Sequence, residues 1–249
     1  MERKGVYFVA DVHLGLKLKD PEERERRFVE FLKGIPREST RALYLLGDIW
    51  DFWYEYRDVV PREGARVVAE LIALMDAGVE VFFFPGNHDI WTYSYFEQLG
   101  MKKLRQPFVT EIDGKVFCLG HGDTLGGAKW SYSLMLKIFH NRAAQWLFSL
   151  LHPWLAFRFG LGWSNGNRRK HTPYHFGQQD EPLLHFAEEF SAQRHVDYFI
   201  FGHFHDSVDM TLGGGARFMI VKDWMDGGAP YLYFDGTSVL TGHSQKSEK

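Results

Sequence analysis

The sequence predicts an α/β protein with a β-rich closing part and a helical interruption between them. Three observations carry this reading. From Val6 to Phe84, apolar runs of strand length alternate with stretches of helical spacing. After Tyr198, apolar runs are separated by glycine-rich turns instead. Between Leu125 and Pro182, a stretch dense in Trp, Phe and Leu follows neither pattern.

Taken in order, Val6 to Ala10 reads as a strand that runs into Asp11 and His13. Asp20-Pro21-Glu22-Glu23 predicts a helix start, with Asp20 as N-cap, Pro at the first position and Glu at the third. Phe28, Phe31 and Leu32 give that helix an apolar face. Ala42 to Leu46 is a second strand, ending in Gly47-Asp48. A second helix starts near Pro61, carries Val67, Val68, Leu71, Ile72, Leu74 and Met75, and stops at Gly78. Val79 to Phe84 is a third strand, ending in Gly86-Asn87-His88-Asp89. Val116 to Leu119 runs into Gly120-His121-Gly122-Asp123, and Tyr198 to Phe201 into Gly202-His203-Phe204-His205. Val208 to Val221, turning at Gly213-Gly214-Gly215, predicts a hairpin, and Tyr231 to Phe234 with Asp235-Gly236 at least one more strand. The expected layout is an α/β half followed by a β-rich half.

The length of 249 residues suits one domain, 1–249, with residues 125–182 as a helical insert. The net charge of -3 leaves no basic excess, so nucleic acid is not an expected partner. The single cysteine, Cys118, excludes an internal disulfide and lies in an apolar run, as a small core residue would. The first apolar run is too short for a signal-peptide core, which points to an intracellular protein. Within the insert, Trp130 to Trp163 is interrupted by polar residues too often to span a bilayer. Two readings stand for it: helices packed on themselves, or an apolar lid that shelters acyl chains or rests on a membrane.

Five strand ends thus carry oxygen and imidazole ligands. Asp11, His13, Asp48, Asn87, His121, His203 and His205 suit Mn, Fe or Zn, and no thiolate joins them. Two such ions about 3.5–4 Å apart can hold a nucleophile and a developing phosphoryl charge together.

Asp11-x-His13, Gly47-Asp48-x-x-Asp51, Gly86-Asn87-His88-Asp89, Gly120-His121-Gly122-Asp123 and Gly202-His203-x-His205 resemble, in order, the five motifs of calcineurin-like metallophosphoesterases. The resemblance implies a four-layer αββα sandwich with the helical insert as a lid, and covers residue 6 to about 225 outside that insert. It implies that Asp11, His13, Asp48 and His205 hold one divalent ion. Asp48, Asn87, His121 and His203 would hold the other, with Asp48 bridging and Asp51 and Asp89 orienting the ligands. Asp48, Asn87 and His88 would be the catalytic groups.

Within that superfamily the chain is similar to the UDP-2,3-diacylglucosamine diphosphatases of lipid A synthesis. The short lead to Asp11, the Asp123-Thr124 extension, the insert directly after it, and Ser164-Asn165 ahead of the polar run to Lys170 carry this. Trp91-Thr92-Tyr93 is similar to the Bacteroidetes-type versions. The resemblance implies Mn2+, with Fe or Zn as alternatives, and cleavage at the α-phosphorus of a UDP-linked diacyl glucosamine lipid to UMP and the lipid 1-phosphate. It implies a cytoplasmic enzyme attached peripherally to the inner membrane through the insert. Asn87, His88, Asp123, Ser164, Arg168, Lys170 and His171 are the expected substrate contacts. One position departs: His88 stands where many of these lipid enzymes carry Arg. Two other readings are a soluble phosphodiesterase or nucleotide pyrophosphatase, and a scaffold that binds a partner without catalysis.

Overall fold

Six strand ends meet at one edge of two stacked sheets, and the sheet topology explains why. The computed structural model describes residues 3–127, 130–168, 176–177 and 181–243. Its elements are β1 (Gly5–Val9), α1 (Pro21–Gly34), β2 (Thr40–Leu45), α2 (Ala65–Asp76), β3 (Glu80–Phe83), α3 (Tyr95–Gln98), β4 (Lys102–Lys103), β5 (Phe108–Ile112) and β6 (Lys115–Leu119). There follow α4 (Trp130–Phe139), α5 (Arg142–Ser149), α6 (Pro153–Arg168), α7 (Pro182–Gln193), β7 (Tyr198–Phe201), β8 (Val208–Thr211), β9 (Arg217–Ile220), β10 (Pro230–Phe234) and β11 (Val239–His243). One sheet runs β11-β10-β1-β2-β3-β4 and the other β5-β6-β7-β9-β8. β1, β2 and β3 are parallel, and so are β6, β7 and β9. The carboxyl ends of each set therefore lie side by side, where ligands bind in such sheets.

Three apolar clusters separate four layers. Val6, Phe8, Ala42 and Tyr44 of the first sheet meet Phe117, Leu119, Ile200 and Met219 of the second. The other face of the first sheet packs on Phe28, Leu32, Val67 and Leu71 of α1 and α2. The outer face of the second packs on Leu183, Leu184 and Ala187 of α7 and includes buried Cys118. Strands covered on both faces read as continuous apolar runs rather than as alternation. The expected division into halves does not hold. β8 and β9 join the second sheet, but β10 crosses back to pair antiparallel with β1, Val6 opposite Phe234. The reason is packing: Phe234 meets Phe117 edge-on at 5.1 Å and closes the core between the sheets.

Two helix starts also differ from expectation. Asp20 precedes α1 but has φ 52° and makes no side-chain cap, because capping needs extended backbone at that residue. α2 begins at Ala65, not near Pro61; the intervening loop covers Trp50, whose Nε1 donates to the Glu63 carbonyl at 3.1 Å.

The helices α4 to α6 rest on an aromatic shelf of the sheet body rather than on themselves alone. Tyr54 OH donates to the Gln145 carbonyl at 2.7 Å, Tyr56 OH to the Leu151 carbonyl at 3.1 Å and Trp91 Nε1 to the Phe139 carbonyl at 2.9 Å. Their opposite face is open: ten of the thirteen exposed large apolar residues among those described, Trp130, Trp146 and Trp154 included, lie between residues 130 and 159. No helix among the described residues is long and apolar enough to cross a membrane.

Arg24 of α1 is fully buried and ties down the loop that carries His13. It donates to the carbonyls of His13 at 3.0 Å, Leu16 at 2.6 Å and Leu18 at 3.0 Å. Arg24→Met keeps the volume and removes the donors. Unfolding in urea should show a loss of about 3 kcal/mol, as unsatisfied buried acceptors cost; a loss below about 0.5 kcal/mol would mean the loop does not depend on it.

Candidate metal centre

Each candidate ligand leaves its strand on a sharp turn. Asp11, His13, Asp48, His203 and His205 all have left-handed backbone, with φ between 50° and 72°. Such non-glycine conformations cost about 1 kcal/mol or more and persist where the surroundings enforce them. Backbone pairing past the strand ends does the enforcing: Asp11 N donates to the Gly47 carbonyl and His13 N to the Asp48 carbonyl. Gly86 is needed for approach, since a Cβ there would fall 2.2 Å from Asp48 Oδ1. At Gly202 a Cβ would fall 2.7 Å from Asp11 Oδ2.

The seven predicted ligands come together in two overlapping groups. In one, Asp11 Oδ1 lies 3.7 Å from His13 Nε2 and 3.8 Å from His205 Nε2. In the other, Asp48 Oδ2 lies 3.4 Å from His121 Nε2, with His203 also in reach and Asn87 Oδ1 3.3 Å from the same His121 nitrogen. The same Asp48 oxygen is 3.9 Å from His13 Nε2, so it stands between the groups. Asp11 Oδ1 is buried and accepts no hydrogen bond among the described residues. A buried carboxylate oxygen facing two imidazole nitrogens at these separations fits a cation with ligand bonds of about 2.0–2.2 Å.

The surrounding groups fix which atoms face inward. His121 Nδ1 donates to the Leu46 carbonyl at 2.9 Å, and His205 Nδ1 sits 2.8 Å from Asp223 Oδ2, so each ring turns Nε2 toward the carboxylates. His13 Nδ1 lies 3.3 Å from Asp51 Oδ1. Asp89 orients backbone rather than a ligand ring: its two oxygens accept from Gly86 N, Asp48 N, Ile49 N and Trp50 N. That binds the Gly47-Asp48 loop to the Asn87-His88 loop. His88 borders the cluster, its Nδ1 2.9 Å from the Asp51 carbonyl and its backbone N–H donating to Asp48 Oδ1 at 2.8 Å.

Titration follows this geometry. Burial would raise Asp48, but His121, His88 and His13 hold it well below the usual carboxylate range. Burial works against charge on His121, yet Asp48, Asp11 and Asp123 hold its pKa well above an ordinary histidine's. Burial, with the nearby His121, pushes His203 down to about 4, which leaves it neutral and ready to ligate. Burial and the Asp48 charge push Asp89 up to about 7.

Asp223 was not foreseen. It follows β9 as the candidate ligands follow their strands and holds His205 Nδ1, and the carboxylate after the Phe218 to Val221 run was the available signal. Gln106 was also missed: Oε1 accepts from Gly122 N and Nε2 donates to Asp123 Oδ1, holding the His121 loop. Asp123, expected at the substrate, is engaged on both oxygens, by Gln106 at 2.6 Å and by Tyr132 OH at 3.0 Å. Ser164 and Arg168 fall on α6, but their side chains, like Lys170 and His171, lie outside the described residues.

The family description of calcineurin-like phosphoesterases matches residues 5–207, which span all of these ligands. The chain belongs to the calcineurin-like phosphoesterase family. Family membership brings divalent metal ions with it, in keeping with the donor set. A curated relative of this phosphoesterase, the UDP-2,3-diacylglucosamine hydrolase of Porphyromonas gingivalis, is 37% identical over 96% of this chain and 97% of its own. The protein of the same name from Neisseria meningitidis is 30% identical over 95% of this chain and 97% of its own. Of solved structures, a dimetal phosphatase from Danio rerio is 16% identical, with a TM-score of 0.49, over 96% of this chain and 98% of that one.

In the metal-free phosphoesterase the raised His121 pKa means a proton sits where a cation would bind. Metal uptake should release it, so apparent metal affinity should rise with pH through that pKa. Calorimetry in buffers of differing ionisation enthalpy should show net proton release at pH 7; none at all would contradict the His121 charge state.

Proposed function

We propose that this chain hydrolyses UDP-2,3-diacylglucosamine at the α-phosphorus, giving UMP and 2,3-diacylglucosamine 1-phosphate, with Asp11, His13, Asp48 and His205 holding one divalent ion and Asp48, Asn87, His121 and His203 the other. The observation that carries the reading is 37% identity, along nearly the whole of both chains, to a curated UDP-2,3-diacylglucosamine hydrolase. The metals, Mn2+ as the first choice, supply water activation at neutral pH and charge neutralisation at phosphorus.

The chain's own residues do the rest. Asp48 stays ionised between the two groups, and Asn87 offers an amide oxygen beside His121. His88 keeps Nδ1 on the Asp51 carbonyl, so Nε2 is the atom left to donate a proton or a hydrogen bond to a phosphate oxygen. A phosphate monoester leaves without strong protonation, so His88 serves as a charge stabiliser for this substrate and can take the place that Arg holds in many lipid relatives.

The whole chain acts as one domain, with 125–182 as its lid. The open face of α4 to α6 gives acyl chains an apolar surface, and Arg158, stacked 5.3 Å over the Trp154 ring, adds a cation at that face. The same face is the site of peripheral membrane contact, on the cytoplasmic side.

Two measurements test this. Protein stripped of metal and restored with Mn2+ should release UMP from the lipid, and Asn87→Ala or Asp11→Ala should lower that rate by about 100-fold or more while leaving the fold intact by circular dichroism. Turnover of a small chromogenic diester alone would favour a soluble phosphodiesterase. In the second, sedimentation with anionic vesicles should carry wild-type protein into the pellet, and Trp146→Ser with Trp154→Ser should return about 1 kcal/mol or more of binding per ring to the supernatant equilibrium; equal recovery with and without vesicles would remove the membrane from the account.

A further inference from the structure

Trp91 lies three residues after His88 and does no chemistry, yet it sits where the site and the helices meet. The segments 51–56 and 88–91 run side by side: Trp53 N donates to the His88 carbonyl at 3.4 Å, Glu55 N to the Trp91 carbonyl at 3.2 Å, and Tyr54 bridges to Trp91. At one end of this ladder His88 Nδ1 rests on the Asp51 carbonyl. At the other end the Trp91 indole grips the helices. Its Nε1 donates to the last carbonyl of α4, at Phe139, which also accepts from Gln145 Nε2 of α5 at 2.7 Å. Its ring stacks on Phe148 of α5, with centroids 5.4 Å apart and planes at 27°. Phe52, on the neighbouring strand of the ladder, meets Trp91 edge-on at 5.8 Å and Phe157 of α6 at the same distance. The contact with α6 is so close that a Cβ at Gly160 would fall 2.3 Å from the Phe52 ring.

We propose that Trp91 is a positioning residue: through this short ladder it couples the seating of α4 to α6 to the placement of His88, so that a substrate seated against the helices sets the group that faces its phosphate. This rests on the proposed lipid reaction. A rigid link of a few residues is suited to the task, because misplacing a catalytic group by about 1 Å can cost 100-fold in rate. The indole N–H is the distinctive part. Phenylalanine would keep the stacking on Phe148 and lose the grip on the α4 carbonyl.

The test compares Trp91→Phe and Gly160→Ala with wild type, in two readouts. With the lipid substrate, each variant should lower kcat by about tenfold with KM changed less than about twofold. With a small chromogenic diester, which does not reach the helices, any loss should be no larger than the loss His88→Ala shows on that diester, with unchanged metal content. A diester loss larger than that of His88→Ala would mean a merely structural role, and no loss on the lipid would mean no coupling. The second readout is independent of substrate identity. In zinc-loaded protein, the His88 ring resonance, assigned by its absence in His88→Ala, should move in both variants while that of surface His195 stays fixed. An unmoved His88 resonance overturns the coupling. Failure of wild type to release UMP would instead overturn the lipid reading, and leave the His88 shift to decide this one.

Discussion

The geometry of this protein depends on one carboxylate oxygen. Asp48 Oδ2 stands 3.4 Å from His121 and 3.9 Å from His13, and those two histidines come from different sheets. The two sheets must therefore hold their carboxyl ends at a fixed separation, which is the work of the apolar layer between them. Phe8 stacked on Phe117 at 5.9 Å and Phe234 set edge-on against Phe117 are the kind of contact that fixes it. Parallel strand order then does what loops alone cannot: it delivers Asp11, Asp48 and Asn87 from one sheet and His121, His203 and Asp223 from the other to a single edge. The left-handed backbone at five of the ligand positions is a local cost that the packed sheets sustain.

A second constraint acts from outside the sheets. The helices between β6 and α7 are held by side chains of loops that also carry site residues. Tyr54 and Tyr56 follow Asp51, Trp91 follows Asp89, and Tyr132 of α4 reaches Asp123 beside the His121 turn. The helices thus present a clasped face to the sheet body and an apolar face to the outside.

Much of the candidate site could be read from the chain because its candidate ligands are tied to strand ends. An apolar run that ends in a Gly, a carboxylate or a histidine marks both the strand and the turn after it, so the places of Asp11, Asp48, Asn87, His121 and His203 were legible together. Asp223 carried the same mark but follows a hairpin strand whose parallel partner, β7, is not its neighbour in sequence; its role appears only with the pairing. Gln106 had no signal, since a glutamine in a loop gains meaning only from the backbone N–H it meets. Asp123 shows the converse: the motif fixed its place, but Tyr132 and Gln106 decide what its oxygens do. The division into halves failed because strand type is local, whereas the return of β10 beside β1 is settled by which face Phe234 fills.

A pair of ions sharing Asp48 would show itself in electron paramagnetic resonance of protein titrated with Mn2+. About two ions per chain should bind and give a spin-coupled multiline spectrum, since ions about 3.5–4 Å apart on a shared carboxylate interact. Saturation at one ion, or two ions with uncoupled spectra, would contradict it.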